Sequence, residues 1–138
     1  MKGRKITKEE ESQKFAILRE NFELFAEKFL KIQTETAEIV PFKLRPVQQV
    51  LERIIEDIKS KKRPVRLVIL KARREGVSTW FAGRIFQKVL TGKNIKCAFV
   101  THADATTAEM FGWLKRFYAY LPQELQPPLQ NSNAIELV

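Results

Sequence analysis

The sequence predicts an α/β domain, with helices flanking a parallel sheet and an N-terminal helical segment ahead of it. Three observations predict this class. Val65-Arg-Leu-Val-Ile-Leu70 and Ile95-Lys-Cys-Ala-Phe-Val-Thr101 are apolar at nearly every position, the pattern of strands buried on both faces. The stretches after them, Ala82 to Leu90 and Ala108 to Phe117, carry apolar residues at helical spacing. Strand and helix therefore alternate from residue 65 onward, the order that lays parallel strands in one sheet with crossover helices on its faces.

Each element has its own signal. Thr7-Lys-Glu-Glu10 has the form of a capping box and predicts a helix starting near Lys8. Phe15, Leu18, Phe22, Phe25 and Phe29 recur at steps of three and four, which carries this helix to about Gln33 and marks its packing face. Thr34 to Val40 reads as a connector. Pro46 suits the first turn of a second helix, and Val47, Val50, Leu51, Ile54, Ile55 and Ile58 form its apolar stripe, ending near Lys59. The basic run to Arg63 and then Pro64 turn the chain into the first strand. After the loop that follows it, Ala82, Ile85, Phe86, Val89 and Leu90 give a helical face closed by Gly92. Asp104 can cap a helix running to about Tyr120, with Ala108, Phe111, Leu114 and Phe117 inward. Pro122 and Pro127-Pro128 mark a loop, and Ala134–Val138 is strand-like. The division expected is residues 1–40 as a helical segment and 41–138 as the α/β unit.

Composition narrows the partners. No apolar run approaches the roughly 20 residues that a membrane span needs, so no membrane association is expected. The single Cys97 lies within a strand-like run and reads as a small buried hydrophobe. One cysteine and one histidine leave little material for a structural zinc site. The basic N-terminus is followed by no apolar signal core, so an intracellular location is expected. The net charge of +9 is unevenly placed: residues 43–96 hold 15 of the 25 basic groups but only 4 of the 16 acidic ones. That clustering points to a polyanionic partner, nucleic acid foremost, ahead of a merely solvated basic loop.

The chemistry-bearing stretch is Lys71-Ala-Arg-Arg-Glu-Gly76-Val-Ser-Thr79, a basic turn between the first strand and its helix. A bound triphosphate needs backbone amides converging at a helix N-terminus, a cation near the outer phosphates and a hydroxyl for Mg²⁺. Against G-x-x-x-x-G-K-[ST], Gly76 and Ser78 fall on fixed positions, whereas Lys71 and Val77 stand where the first glycine and the lysine would be. Lys71, on a long stem at the strand end, can replace that lysine, and Arg73 or Arg74 can add charge. The alternative is an ordinary strand-to-helix turn, with Gly76 present for its φ freedom and Ser78 as a cap.

Taken with its surroundings, residues 41–138 resemble the ATPase domain of the large terminase subunit of tailed bacteriophages, a DNA-packaging motor of the P-loop class. Lys71-Ala-Arg-Arg-Glu-Gly-Val-Ser-Thr-Trp80 is similar to that family's deviant Walker A loop, whose lysine can stand at the loop's beginning. Pro41-Phe-Lys-Leu-Arg-Pro-Val-Gln48 resembles its adenine-recognition motif, and Cys97-Ala-Phe-Val-Thr-His102 its second strand and turn. The resemblance implies an incomplete P-loop NTPase-type parallel sheet with ATP and Mg²⁺ as cofactors. The nucleotide-binding set it implies is Lys71, Arg73, Arg74, Gly76, Val77, Ser78 and Thr79, with Ser78 on Mg²⁺ and Gln48 and Phe42 at the adenine. Gln48 has an alternative as an exposed helix residue, and Phe42 as a hydrophobic staple; His102 reads as a turn residue.

Further expectations come with the family: double-stranded DNA as partner, a homo-oligomeric ring with portal protein and small terminase subunit, and the cytoplasm of an infected bacterial host. No apolar strand ending in Asp-Glu follows residue 104, so the Mg²⁺-binding Asp and the water-orienting Glu of such an ATPase are missing. The expectation is the N-terminal part of a longer protein, with no catalytic residue of its own and no appreciable ATP hydrolysis alone. Two competing readings remain. A helicase-like ATPase fragment would carry lysine at position 77, and Val77 counts against it. A non-catalytic basic nucleic-acid-binding or adaptor domain would use residues 71–79 as a plain turn.

Overall fold

A computed structural model describes residue 13 and residues 18–128. The capping box at Thr7–Glu10, Phe15 and the strand-like Ala134–Val138 lie outside the described residues. The described elements are helix α1 (Phe22–Phe29), strands β1 (Lys31–Gln33) and β2 (Ile39–Pro41), and helices α2 (Pro46–Ser60), α3 (Val77–Thr91) and α4 (Asp104–Ala119), followed by a 3₁₀ turn at Gln123–Leu125. This is a mixed architecture of helices and one small antiparallel sheet. Among the described residues no helix is long and apolar enough to cross a membrane.

The phenylalanine stripe does form a helical packing face, but it stops earlier than its spacing predicts. Asn21 caps α1, its Oδ1 accepting from the Leu24 amide at 3.0 Å. The chain leaves the helix at Leu30 and becomes β1, so the expectation of helix to Gln33 is corrected. Lys31, Ile32 and Gln33 pair in antiparallel register with Pro41, Val40 and Ile39. Thr34 builds the turn between them: its amide donates to Glu38 O at 2.9 Å and its hydroxyl accepts from the Glu38 amide at 3.1 Å. The β-branched Ile32, Ile39 and Val40 suit this pleat, and the Thr34–Val40 connector ends in the strand residues Ile39 and Val40.

Helix α2 runs as its pattern predicts, with Pro46 at its start. Lys62 adopts a left-handed φ of 53° just past its end, and the Arg63 amide returns to Ile58 O at 3.3 Å, closing the helix without a glycine. Only half of its apolar stripe is covered. Leu51 and Ile55 enter the core, whereas Val50 and Ile54 are exposed.

The largest departure concerns the two apolar runs. Residues 65–70 and 95–101 form no regular secondary structure and carry no strand pairing, and no parallel sheet occurs among the described residues. Val68 and Leu70 are fully exposed and Val100 nearly so. Cys97 is exposed as well, which corrects its reading as a buried hydrophobe. The reason is physical: a strand apolar on both faces is buried by neighbouring strands, and among the described residues none stands beside either run.

The core instead forms among the four helices and the hairpin. Trp80, Phe22, Phe25, Phe42, Phe117 and Leu30 are its largest buried side chains. Phe42 stacks on Phe117 with ring centroids 6.4 Å apart, and Phe22 meets Phe42 edge-on at 6.3 Å. Gln87 Nε2 donates to Leu18 O at 2.9 Å, tying α3 to the helical residues 18–20 that precede α1. In α4, Met110, Leu114 and Phe117 are buried; Ala108, expected inward, is exposed.

Candidate functional site

Residues 71–79 lead from the first apolar run into α3. Helix α3 opens at Gly76, whose φ of 71° and ψ of 15° place it in the left-handed region. Arg74, two residues earlier, also has a positive φ of 62°. These two reversals turn the chain sharply into the helix, and glycine carries the second at no steric cost. The first helical bond joins the Trp80 amide to Gly76 O at 3.0 Å. The amides of Val77, Ser78 and Thr79 therefore lie ahead of the helical ladder, and no side chain caps them. The first turn itself carries no acidic residue, and the one carboxylate beside it in sequence is Glu75, just before the cap.

The side chains around this turn divide by burial. Val77 is 7% exposed and belongs to the core, which accounts for an apolar residue at the place where the loop pattern expects lysine. Ser78 is exposed and Thr79 half-buried. Lys71, Arg73 and Arg74 are exposed on the approach. The Lys71 amine folds back along the loop, donating to Ala72 O at 3.2 Å. Arg74 meets Glu35 at 3.8 Å, an open surface pair that fixes little.

Behind the loop, α2 holds it from the core side. Gln48 is 2% exposed, which overturns the alternative of an exposed helix residue. Its Nε2 donates to Gly76 O at 2.8 Å and its Oε1 accepts from the Arg45 amide at 2.8 Å. Arg45 in turn donates from its guanidinium to Arg74 O at 3.0 Å. Sequence reasoning assigned Arg45 no role. Its position next to Pro46, three residues before Gln48, is the signal that could have found it, since a polar residue there reaches back to the helix start. Phe42 is 2% exposed with its ring inside the aromatic core, so the upstream motif and the loop meet through Gln48 and Arg45 and not through Phe42.

A second network steadies the first turn of α3. The Trp80 indole donates to Glu52 Oε1 at 2.6 Å, and Arg84 reaches Glu52 at 3.4 Å and Glu56 at 3.7 Å. Arg84 also lies over the Phe22 ring, 5.4 Å from its centroid. Burial raises the Glu52 pKa above the usual 4.5; Arg84 and the Trp80 bond pull it back, and neighbouring Glu56 adds to the rise. The signal in the sequence was Glu52 and Glu56 at i and i+4 on one helix, a like-charge pair that calls for a cation from elsewhere.

Comparison with protein-family models and with curated protein sequences finds no match to this chain.

Among the described residues no group of three or more His, Cys, Asp or Glu could hold a metal ion. A separate concavity of about 380 Å³, lined by Gln33, Thr34, Glu109, Gly112, Trp113 and Arg116, shares no residue with the loop.

Proposed function

We propose that residues 71–79 bind the triphosphate of Mg²⁺-ATP, and that the chain is the ATP-binding part of a terminase-type motor that moves double-stranded DNA. One observation carries this reading: an uncapped helix N-terminus, opened by left-handed Gly76, with Lys71, Arg73 and Arg74 exposed on its approach. Anionic phosphates satisfy such amides and the helix dipole together. In this reading the Val77, Ser78 and Thr79 amides cradle phosphate, the Ser78 hydroxyl joins the Mg²⁺ shell, and Lys71 neutralises the outer oxygens. The unpaired runs at 65–70 and 95–101 support the finer fold assignment. Each has the composition of a central strand in a P-loop-type parallel sheet, and each precedes a helix as such strands do. The exposed basic groups from Lys59 to Arg66 are the proposed DNA contacts. Ring assembly with portal protein and small subunit, in the cytoplasm of a bacterial host, belongs to the same proposal.

A second reading is favoured by the same exposure of cations and apolar runs: a basic nucleic-acid-binding adaptor that uses no nucleotide. Titration with a fluorescent ATP analogue, with and without Mg²⁺, separates the two. The motor reading expects a Mg²⁺-dependent signal that weakens about tenfold or more in Lys71→Ala, the loss of one charge-assisted contact. Salt-sensitive DNA binding with no Mg²⁺-dependent nucleotide signal selects the adaptor. The chain alone is expected to bind without turnover, since no Asp-Glu stands at a strand end among the described residues. Steady-state hydrolysis abolished by Lys71→Ala with Ser78→Ala would refute that expectation.

A further inference from the structure

We infer that Gln48 is a positioning residue for the phosphate loop and not a reader of the base, so that the site recognises a triphosphate with little regard to the nucleobase attached. The inference rests on the triphosphate reading given above and narrows it. A glutamine that reads adenine offers one amide donor and one acceptor to the base edge. In this chain both ends of the Gln48 amide are already engaged, by Gly76 O at 2.8 Å and by the Arg45 amide at 2.8 Å. The residue is 2% exposed, so a base edge would have to break these bonds and displace the loop to reach it. The aromatic residue of the same motif is equally withdrawn, since Phe42 is 2% exposed and packed against Phe22 and Phe117.

The geometry at Gly76 independently shows how closely the two residues are fitted. A Cβ on Gly76 would stand 2.8 Å from Gln48 Nε2, nearer than side-chain carbons approach. Glycine at 76 thus serves two needs, a left-handed φ and room for the glutamine behind it. Through Gly76 O, the acceptor of the first helical bond, Gln48 sets the position of the Val77, Ser78 and Thr79 amides. Arg45 adds a second tie at Arg74 O, 3.0 Å, on the other left-handed residue of the turn. The loop is held at both of its reversals by one short segment of α2 and the residue before it.

The test measures Mg²⁺-dependent binding of ATP, GTP and inorganic tripolyphosphate to the whole chain by calorimetry. Tripolyphosphate has the loop's ligand without any base. The wild-type chain is expected to bind all three within about threefold of one another. Gln48→Met, which keeps the volume and removes both hydrogen bonds, is expected to weaken all three by the same factor, roughly five- to tenfold for the loss of a buried bond. Leu114→Ala serves as the control, since it removes core packing in α4, a helix that carries no residue of the loop or of the segment behind it; it is expected to leave tripolyphosphate affinity unchanged even where it lowers the melting temperature as much. If Gln48→Met instead abolishes a tenfold or greater preference for ATP while tripolyphosphate binding is unmoved, Gln48 reads the base and the inference is overturned. Unchanged affinity for all three ligands in Gln48→Met overturns it too. A wild-type chain that binds none of them refutes the triphosphate reading itself, and this inference falls with it.

Discussion

Replacing Gly83 and Gly112 by alanine, one at a time, should move stability in opposite directions. Both glycines lie inside helices, α3 and α4, where alanine is favoured by about 1 kcal/mol. Gly112 is exposed, and a Cβ there meets nothing within 4 Å, so Gly112→Ala should gain most of that propensity. Gly83 is buried where α3 crosses α1 and the end of the hairpin. A Cβ there would stand 3.0 Å from Phe22 Cζ, 3.1 Å from Leu30 Cδ1 and 3.3 Å from Phe42 Cε1. Those three residues are almost wholly buried, and their side chains have little room to retreat. Overpacking of this kind costs about 1–3 kcal/mol, toward the upper end when several rings must move together, and it outweighs the propensity gain. Gly83→Ala should therefore come out about 1 kcal/mol less stable than wild type. The two variants should then differ by about 2 kcal/mol, or roughly 8 °C in melting temperature for a chain of this size. Thermal and urea unfolding followed by far-UV circular dichroism measure both. A Gly83→Ala variant as stable as wild type, or a Gly112→Ala variant less stable, would refute the packing described here. If the proposed triphosphate site is correct, Gly83→Ala should also weaken binding there, because α3 carries the loop at its N-terminus, whereas Gly112→Ala should not.

Two further outcomes test the charge network and the open runs. Glu52 has a pKa raised in the folded state, mainly by burial, so the folded chain holds this proton more tightly than the unfolded one. The stability it contributes is full below the unfolded value near 4.5 and is lost as pH rises through the raised folded value. In urea unfolding from pH 4 to 7, Glu52→Gln should lack that decline, and a decline identical to wild type would show that Glu52 is not its source. Val68→Asp, at a fully exposed position in the first apolar run, should change stability by no more than about 0.5 kcal/mol. Val77→Asp would instead bury an unpaired carboxylate at a cost of about 3 kcal/mol or more. Equal losses from the two would mean that residue 68 is covered in solution.

Helices α2, α3 and α4 were legible because their signals are local. Pro46 fixes a start, Gly92 stands at an end, and the apolar spacing between such marks depends only on the residues themselves. The loop was legible for the same reason: a lone glycine between a basic turn and two hydroxyl residues needs a left-handed φ wherever the chain goes afterward. The β1–β2 hairpin was not legible. Phe29, Ile32 and Gln33 continue the helical phase of the stripe, and only pairing with Ile39–Pro41 across the turn makes the extended form better.

The sequence by itself determined where α2, α3 and α4 begin and end, where a glycine at 76 lets the chain bend with positive φ, and where its positive charge gathers, because each of these is a property of neighbours in the chain. Tertiary structure alone decided burial and partnership. It left Val68, Leu70 and Val100 open although their pattern is that of a central strand, since burying a strand takes other strands beside it. It also put Phe42 in the core and turned Gln48 inward onto Gly76, because the hydrogen-bonding partner of an amide 28 residues away exists only once α2 packs behind the loop.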